Sequence, residues 1–357
     1  MTESTGLLAS TRALAEEYDL ALMDLDGVCY RGAEPVEHAD EGVASARDLG
    51  MRMLFVTNNA NRPPQTVADQ LSSLGIPTEP EEVMTSSQAA AAVLAQDLPA
   101  GALVLAVGGA GLRSALLEAG LRVTDTAADD PVAVAQGFAP EVGWAELTEA
   151  AYAIAAGARY VATNLDSTLP TERGFAVGNG SLVAAVVNAT GVTPLSAGKP
   201  EAEIFHQAVA RAGGTRPLAV GDRLNTDLAG ARAAGIPGLH VLTGVSDARS
   251  VVLAEPHERP SFLAVDLRGL AEPHPAPHRD PQGWWRCGAA AARVAGSEPH
   301  LELRVGDRTL DLDSDAEPVT VSLDAWRCLT AAAWDAADGG TVLTPERVPV
   351  LEVVSPR

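Results

Sequence analysis

Asp24 and Asp26 flank a single leucine at the end of an apolar run, LALMDLD. In an extended chain the i, i+2 spacing turns both carboxylates to the same side. Two like charges aimed at one spot repel, so a cation belongs between them. A hard divalent ion with oxygen ligands suits the pair. Mg2+ suits it best, because it binds through few carboxylates and shares its other positions with water and substrate phosphate. Asp222, at the end of LAVGD, offers a further carboxylate, and Asp227, later in GDRLNTD, can serve as a ligand or orient one. Thr57 and Asn58 end another apolar run, MRMLFVTNN, and Asn59 closes it. Lys199 is the only lysine, against twenty-four arginines. Lysine is a compact point charge with three rotatable donors, whereas arginine is a planar fork. A carboxylate attacking a phosphate dianion faces roughly 4 kcal/mol of repulsion per charge pair at about 4 Å and an effective dielectric near ~20. One metal offsets part of that, and a second compact cation in a tight site would offset more. Lys199 is the candidate.

The elements that position these residues alternate between short apolar runs and helical periodicities. LALMDLD reads as a buried parallel strand, apolar on both faces. EHADEGVASARDLG is a helix that stops at Gly50, MRMLFVTNN a second strand, and PPQTVADQLSSLG a helix with proline near its start. Between about Ser86 and Ser196 the strands ALVLAVGG, VAVAQGF and ARYVATN alternate with the helices AGLRSALLEAG and WAELTEAAYAIAAG. KPEAEIFHQAVARAGG predicts a helix opened by Pro200, followed by RPLAVGD, NTDLAGARAAG and GLHVLTG as strand, helix and strand. This order predicts a parallel, Rossmann-like α/β sheet. Ligands of such a sheet bind beyond the carboxyl ends of the strands, where Asp24, Asp26, Thr57, Asn58 and Asp222 all fall.

These residues resemble the haloacid dehalogenase superfamily of phosphatases. DLDGVCYRG is similar to its first motif, FVTNN to its second, GKP to its third and GDRLNTDLAGA to its fourth, in the family's order. The resemblance implies Asp24 as a nucleophile that forms an aspartyl-phosphate, and Asp26 as general acid and then base. It implies phosphoryl binding by Thr57 and the Asn58 backbone, with Asn59 beside them, and Lys199 as the cation of the third motif. It implies Mg2+ held by Asp24, the Asp26 carbonyl and Asp222, with Asp227 in support. The interval from Thr57 to Lys199 is far longer than one crossover needs, and the family places caps there. ATNLDSTLPTERGFAVGNGSLVAAVVNATG resembles the α/β cap of the subgroup with nucleotide-phosphatase-like, p-nitrophenyl phosphatase and phosphoglycolate phosphatase members. The expected division is a core of residues 1–85 and 197–270, a cap of 86–196, a Pro-rich linker of 271–283 and a small α+β domain of 284–357. The last resembles part of an acetyltransferase fold, as in actinobacterial glycerol-3-phosphate phosphatases. Its tryptophans, in GWWRC, DAWRC and at Trp334, predict a folded domain with its own core.

The expected substrate is a small phosphomonoester. Within the cap loop from Thr163 to Leu182 the only cation is Arg173, beside the acids Asp166 and Glu172. A carboxylate substrate would want dedicated cations, whereas a neutral diol is content with carboxylate and backbone partners. That favours glycerol 3-phosphate over phosphoglycolate, pyridoxal phosphate, or a sugar or nucleotide phosphate. A bifunctional chain whose C-terminal domain takes an acyl-CoA-type ligand is the reading from another class. The net charge of −22 argues against nucleic acid or an anionic membrane as partner, while a homo-oligomer is compatible with the sequence. Three widely spaced cysteines and no basic-then-apolar leader point to a reducing cytosol. Cys29, close to Asp26, is either a redox switch or a buried thiol with no chemical role.

Overall fold

The computed structural model describes residues 6–171, 173–310, 312 and 318–354. The chain forms two compact units. One comprises Met1–Arg31, Pro35–Met53 and Gly214–Arg357, the other Gly32–Glu34 and Leu54–Gly213.

In the first unit, four parallel strands lie in the order Phe262–Ala264, Gly238–Val241, Pro217–Gly221 and Leu20–Met23. Every residue of Leu20–Met23 and Gly238–Val241 is buried, which is why these strands read as unbroken apolar runs. Val220 pairs with Met23, so Asp24 and Asp222 follow the carboxyl ends of neighbouring strands. The Asp24 N–H donates to the Val220 carbonyl at 2.9 Å, extending the ladder to the first acid. The helices Ala39–Asp48 and Ala248–Val252 belong to the same unit.

The C-terminal residues add a five-stranded antiparallel sheet in the order His278–Arg279, Trp285–Cys287, Ala290–Ala295, His300–Val305 and Arg308–Leu310. The predicted strand RTLDLDS is thus found over Arg308–Leu310, and Asp311, Asp313 and Ser314 lie outside the described residues. A parallel pair, Val319–Ser322 with Leu351–Val354, brackets the helix Leu323–Asp338. The Ser322 hydroxyl caps that helix by accepting from the Ala325 N–H at 3.2 Å.

The tail's apolar side chains do not form the separate core expected from the sequence. Trp326, Cys328, Leu329 and Trp334 belong to one cluster with Leu228, Val251, Val252 and Leu263 of the parallel-sheet region. The cause is the helix Leu323–Asp338, of which eleven residues are buried, more than the small antiparallel sheet alone could cover. The Pro-rich run is likewise tied down. Pro273–His274 pairs antiparallel with Ser10–Ala13, and His278–Arg279 with Trp285 and Arg286. Proline is tolerated in such short edge strands, so its density there does not read as pairing.

Two histidines of this unit are buried and neutral. Burial holds the His240 ring down to about 4, against the opposing pull of its bond to Ser246 and the charges of Asp227 and Asp247. Burial, with Arg327 beside it, holds His274 down to about 4 as well, against its bond to Gly269. Each ring takes a proton near pH 6.5 in the unfolded chain and near 4 when folded. Between those values the unfolded chain binds more protons, so stability falls as pH falls. The contribution is fully present above about pH 6.5 and declines towards pH 4, by up to about 3 kcal/mol per ring. The expected result is a melting temperature that drops steadily from pH 7 to 4.5. His240→Gln and His274→Gln should each flatten the slope, and an unchanged slope in both would contradict the assignment.

In the second unit a five-stranded parallel sheet has the order Leu195–Ser196, Arg159–Ala162, Ala133–Gln136, Leu103–Val107 and Arg122–Thr124. Helices Trp144–Ala155 and Asn179–Thr190 contribute to its apolar cluster through Ala150, Ile154, Val183 and Val186. A hairpin, Thr168–Thr171 with Gly174–Val177, follows the strand Arg159–Ala162, and all four residues of its second strand are exposed. The strand Arg52–Thr57 enters this unit from the first, and its end pairs parallel with Val83–Thr85. The helix expected from Pro200 begins at Ala202 and ends at Ala212, where Gly213 adopts the left-handed conformation that glycine permits at a helix C-terminus.

Candidate active site

Within the first unit the carboxylates of Asp24, Asp222 and Asp227 converge, with one oxygen of each within 4.8 Å of the others. Asp222 and Asp227 are buried and Asp24 is half-buried. Three carboxylates at this separation repel strongly unless a cation lies among them. An all-oxygen donor set of this kind fits Mg2+ or Ca2+ and not a thiolate- or imidazole-seeking metal.

The local chain explains the convergence. After Asp24 the backbone turns sharply, with the Val28 and Cys29 N–H groups on the Leu25 carbonyl and Gly27 in the left-handed region at φ 90°. A Cβ at Gly27 would lie 2.6 Å from Asp222 Oδ2, and one at Gly244 would lie 1.9 Å from the same oxygen. Both glycines are there because the carboxylate fills the space a side chain would need. Asp227 sits in a single wide turn, Leu224–Leu228, with i to i+5 bonding from Leu228 N–H to the Arg223 carbonyl. Such turns recur at functional sites, and this one lets Asp227 Oδ2 accept from the Arg223 N–H at 3.1 Å.

The loop Thr243–Asp247, which no sequence pattern singled out, surrounds Asp222. The Val245 N–H donates to Asp222 Oδ2 at 2.6 Å and the Ser246 N–H to the Asp222 carbonyl at 3.1 Å. Ser246 Oγ accepts from Leu224 N–H at 3.2 Å, and Thr243 Oγ1 donates to the Gly27 carbonyl at 2.6 Å. Asp26 is not one of the three converging carboxylates. Its side chain is exposed, and its backbone bridges to Tyr30. Cys29 is fully buried, with its sulfur 3.6 Å from the Asp24 carbonyl oxygen. Burial, then the charges of Asp24 and Asp26, push its thiol well up. Burial with that shift matches the packing thiol of the two readings and not a reactive one.

In the second unit the sequence-derived residues meet at Asn58. Its Oδ1 accepts from the Lys199 N–H at 2.8 Å, and its Nδ2 donates to the Lys199 carbonyl and to Asp166 Oδ2, both at 3.0 Å. The Asn58 carbonyl in turn accepts from Ser86 Oγ and Asn164 Nδ2. The side chain of Asn58 therefore clamps the lysine's backbone, a role the resemblance did not assign. Gly198 leaves room for it, since a Cβ there would lie 2.6 Å from Asn58 Oδ1 and 2.4 Å from the Thr163 carbonyl. Lys199 is 4% exposed, and its Nζ donates to the Val56 carbonyl at 3.1 Å. Thr57 is buried, and its Oγ1 accepts from the Asn59 N–H at 3.1 Å. Asn59 Oδ1 accepts from Asn61 N–H, which shapes the turn after the strand. Arg173 sits exposed at the turn of the hairpin, whereas Asp166 is half-buried at its base. Glu172 lies outside the described residues. Asn164, not foreseen, ties the base of this loop by accepting from Asp166 N–H while donating to Asn58.

A family model described as haloacid dehalogenase-like hydrolase matches residues 21–122, and a second, HAD-hydrolase-like, matches 196–270. Between them they hold Asp24, Asp26, Thr57, Lys199, Asp222 and Asp227. The chain is 42% identical over 339 residues to the D-glycerol 3-phosphate phosphatase of Mycobacterium tuberculosis, covering 94% of this chain and 92% of that one. This chain belongs to the haloacid dehalogenase-like hydrolases. A 5′-nucleotidase of Bacillus subtilis is also 42% identical, over 63% of this chain and 87% of its own length. Among solved structures, the M. tuberculosis glycerol phosphate phosphatase in complex with magnesium superposes with a TM-score of 0.78 at 39% identity, covering 97% of this chain and 95% of that one. The same protein in complex with calcium gives 0.79. Both ions are hard and oxygen-seeking, the chemistry already read from the carboxylate group.

Proposed function

We propose that this hydrolase is a Mg2+-dependent phosphomonoesterase that works through an aspartyl-phosphate and takes glycerol 3-phosphate as substrate. The observation that carries the reading is the convergence of Asp24, Asp222 and Asp227 in a hydrolase fold. Those carboxylates and the Asp26 carbonyl would hold Mg2+, which would supply positive charge against the phosphoryl oxygens and the attacking carboxylate. Asp24 attacks phosphorus and forms the acyl phosphate. Asp26, whose side chain is exposed, protonates the leaving alkoxide and then takes a proton from the hydrolytic water. The Thr57 hydroxyl and the backbone after it bind phosphoryl oxygens, with Asn59 shaping that turn. Lys199, held in direction by Asn58, supplies positive charge for the phosphoryl group. Asp166 and Arg173 belong to the leaving-group side, in a cap of residues 86–196 inserted in the sequence of a core of 1–85 and 197–270. Residues 284–357 form an α+β accessory region joined through 271–283.

Glycerol 3-phosphate is supported by the extent of similarity to the M. tuberculosis phosphatase, along nearly the whole of both chains. The three free, buried cysteines suit a reducing cytosol, and among the described residues no helix is long and apolar enough to cross a membrane. The test is a comparison of kcat/KM with Mg2+ across glycerol 3-phosphate, phosphoglycolate, pyridoxal phosphate, sugar phosphates and nucleoside 5′-monophosphates. Glycerol 3-phosphate is expected to lead by about tenfold, a difference of about 1.4 kcal/mol in transition-state binding. A nucleoside monophosphate leading by the same margin would instead favour the activity named for the B. subtilis relative. A failure to hydrolyse any of them would overturn the phosphatase reading itself.

A further inference from the structure

The loop that surrounds Asp222 rests on the C-terminal helix. Trp326, near the start of Leu323–Asp338, is fully buried, and its indole Nε1–H donates to the Ala248 carbonyl at 3.0 Å. Ala248 follows the loop directly and opens the helix Ala248–Val252, which Asp247 caps by accepting from Ser250 N–H at 2.7 Å. The same indole packs edge-on against His240, with ring centroids 6.3 Å apart and an interplanar angle of 65°. His240 Nε2 lies 3.1 Å from the Ser246 carbonyl, and since a carbonyl can only accept, the ring donates from Nε2. Ser246 passes its position to the site twice, through its N–H to the Asp222 carbonyl and through its Oγ to Leu224 N–H. One indole from the tail therefore fixes both ends of the segment Ser246–Ala248, which in turn fixes Asp222.

We propose that Trp326 is a positioning residue for the metal site, acting through His240 and the Ser246–Ala248 segment, so that the C-terminal region sets the affinity of the carboxylate group for its divalent cation. The proposal rests on the metal reading above. Its chemistry is that of an outer-shell partner: Trp326 touches neither metal nor substrate, but it restricts the rotation and displacement of a ligand that the loop holds by two bonds. Removing such partners typically weakens metal binding by about 10- to 100-fold.

The experiment uses the full chain and reads Mg2+ binding by calorimetric titration, with the melting temperature measured in parallel. Trp326→Leu should weaken Mg2+ binding by about tenfold. His240→Leu, which deletes the donor to Ser246, should weaken it comparably. His240→Gln, whose amide nitrogen reaches the same place, should restore most of the affinity. Leu303→Ala is the control, because Leu303 is fully buried in the tail's antiparallel sheet, where it pairs with Ala292 and Leu310. It should lower the melting temperature and leave Mg2+ affinity unchanged. Should Trp326→Leu fail to fold, Trp326→Phe keeps the ring contact and removes only the bond to Ala248, with a smaller loss of affinity expected. Affinity within twofold of the parent in the Trp326 and His240→Leu variants, with melting temperatures falling as in Leu303→Ala, would overturn the proposal and leave the metal reading standing. A parent protein that binds no Mg2+ would overturn both.

Discussion

Asp24→Asn should be without measurable turnover and at least as stable as the parent. The amide nitrogen and oxygen of asparagine cannot supply the anionic nucleophile, so kcat/KM should fall by at least about 10⁴-fold, or about 5 kcal/mol of transition-state stabilisation. Stability should move the other way. Asp24, Asp222 and Asp227 present oxygens within 4.8 Å of one another, and without a cation their mutual repulsion opposes folding. Neutralising one of the three relieves part of it. In a chelating buffer the Asn variant should therefore melt at the same temperature as the parent or higher, whereas in excess Mg2+ the order should reverse, because the parent gains the binding free energy. Activity above one tenth of the parent's would exclude Asp24 as nucleophile. A variant that melts lower in chelator would mean that its carboxylate carries a structural bond that outweighs the repulsion.

Lys199→Arg should lose about 10²- to 10³-fold in kcat/KM, or roughly 3 to 4 kcal/mol, although its charge is preserved. The lysine is nearly fully buried, its backbone is gripped on both sides by the Asn58 side chain, and its Nζ lies 3.1 Å from the Val56 carbonyl. A guanidinium is wider and planar, and cannot take that place without displacing the strand end or the clamp. Asn58→Ala tests the clamp separately. It leaves the charge and removes the orientation, so a fall in kcat with little change in the amount of folded protein is expected. If Lys199→Arg worked as well as the parent, the presence of the chain's sole lysine here would be coincidence.

The parallel strands were legible in the sequence for a simple reason. A strand buried on both faces, such as Leu20–Met23, is an uninterrupted apolar run, and an aspartate at its end stands out against it. That made Asp24 and Asp222 visible, and the single lysine made Lys199 visible. What stayed hidden depends on contacts between residues distant in sequence. Nothing local marks Asn58 as a clamp for a residue 141 positions away. The loop Thr243–Asp247 has ordinary turn composition, and its role follows only from what lies against it. The tail's tryptophans correctly announced a folded region, but residue type cannot say which surface an indole will cover. Nor does the Pro-rich run announce the pairing of Pro273–His274 with Ser10–Ala13, because proline content reports missing donors while that pairing depends on geometry elsewhere.

The first compact unit draws on both ends of the polypeptide, taking Met1–Arg31 and Pro35–Met53 together with everything from Gly214 onward. Translation delivers these segments far apart in time. At roughly 5 to 20 residues per second, the strand that ends at Asp24 leaves the ribosome roughly 10 to 40 s before the Asp222 strand that pairs with it, and Trp326 follows later still. Through that interval the intervening unit can fold on its own sheet, while the Pro217–Gly221 side of Leu20–Met23 stays unpaired. The carboxylate group of Asp24, Asp222 and Asp227 can thus assemble only after most of the chain has been made, and the C-terminal helix that shares an apolar cluster with Leu224 and Leu228 arrives later still.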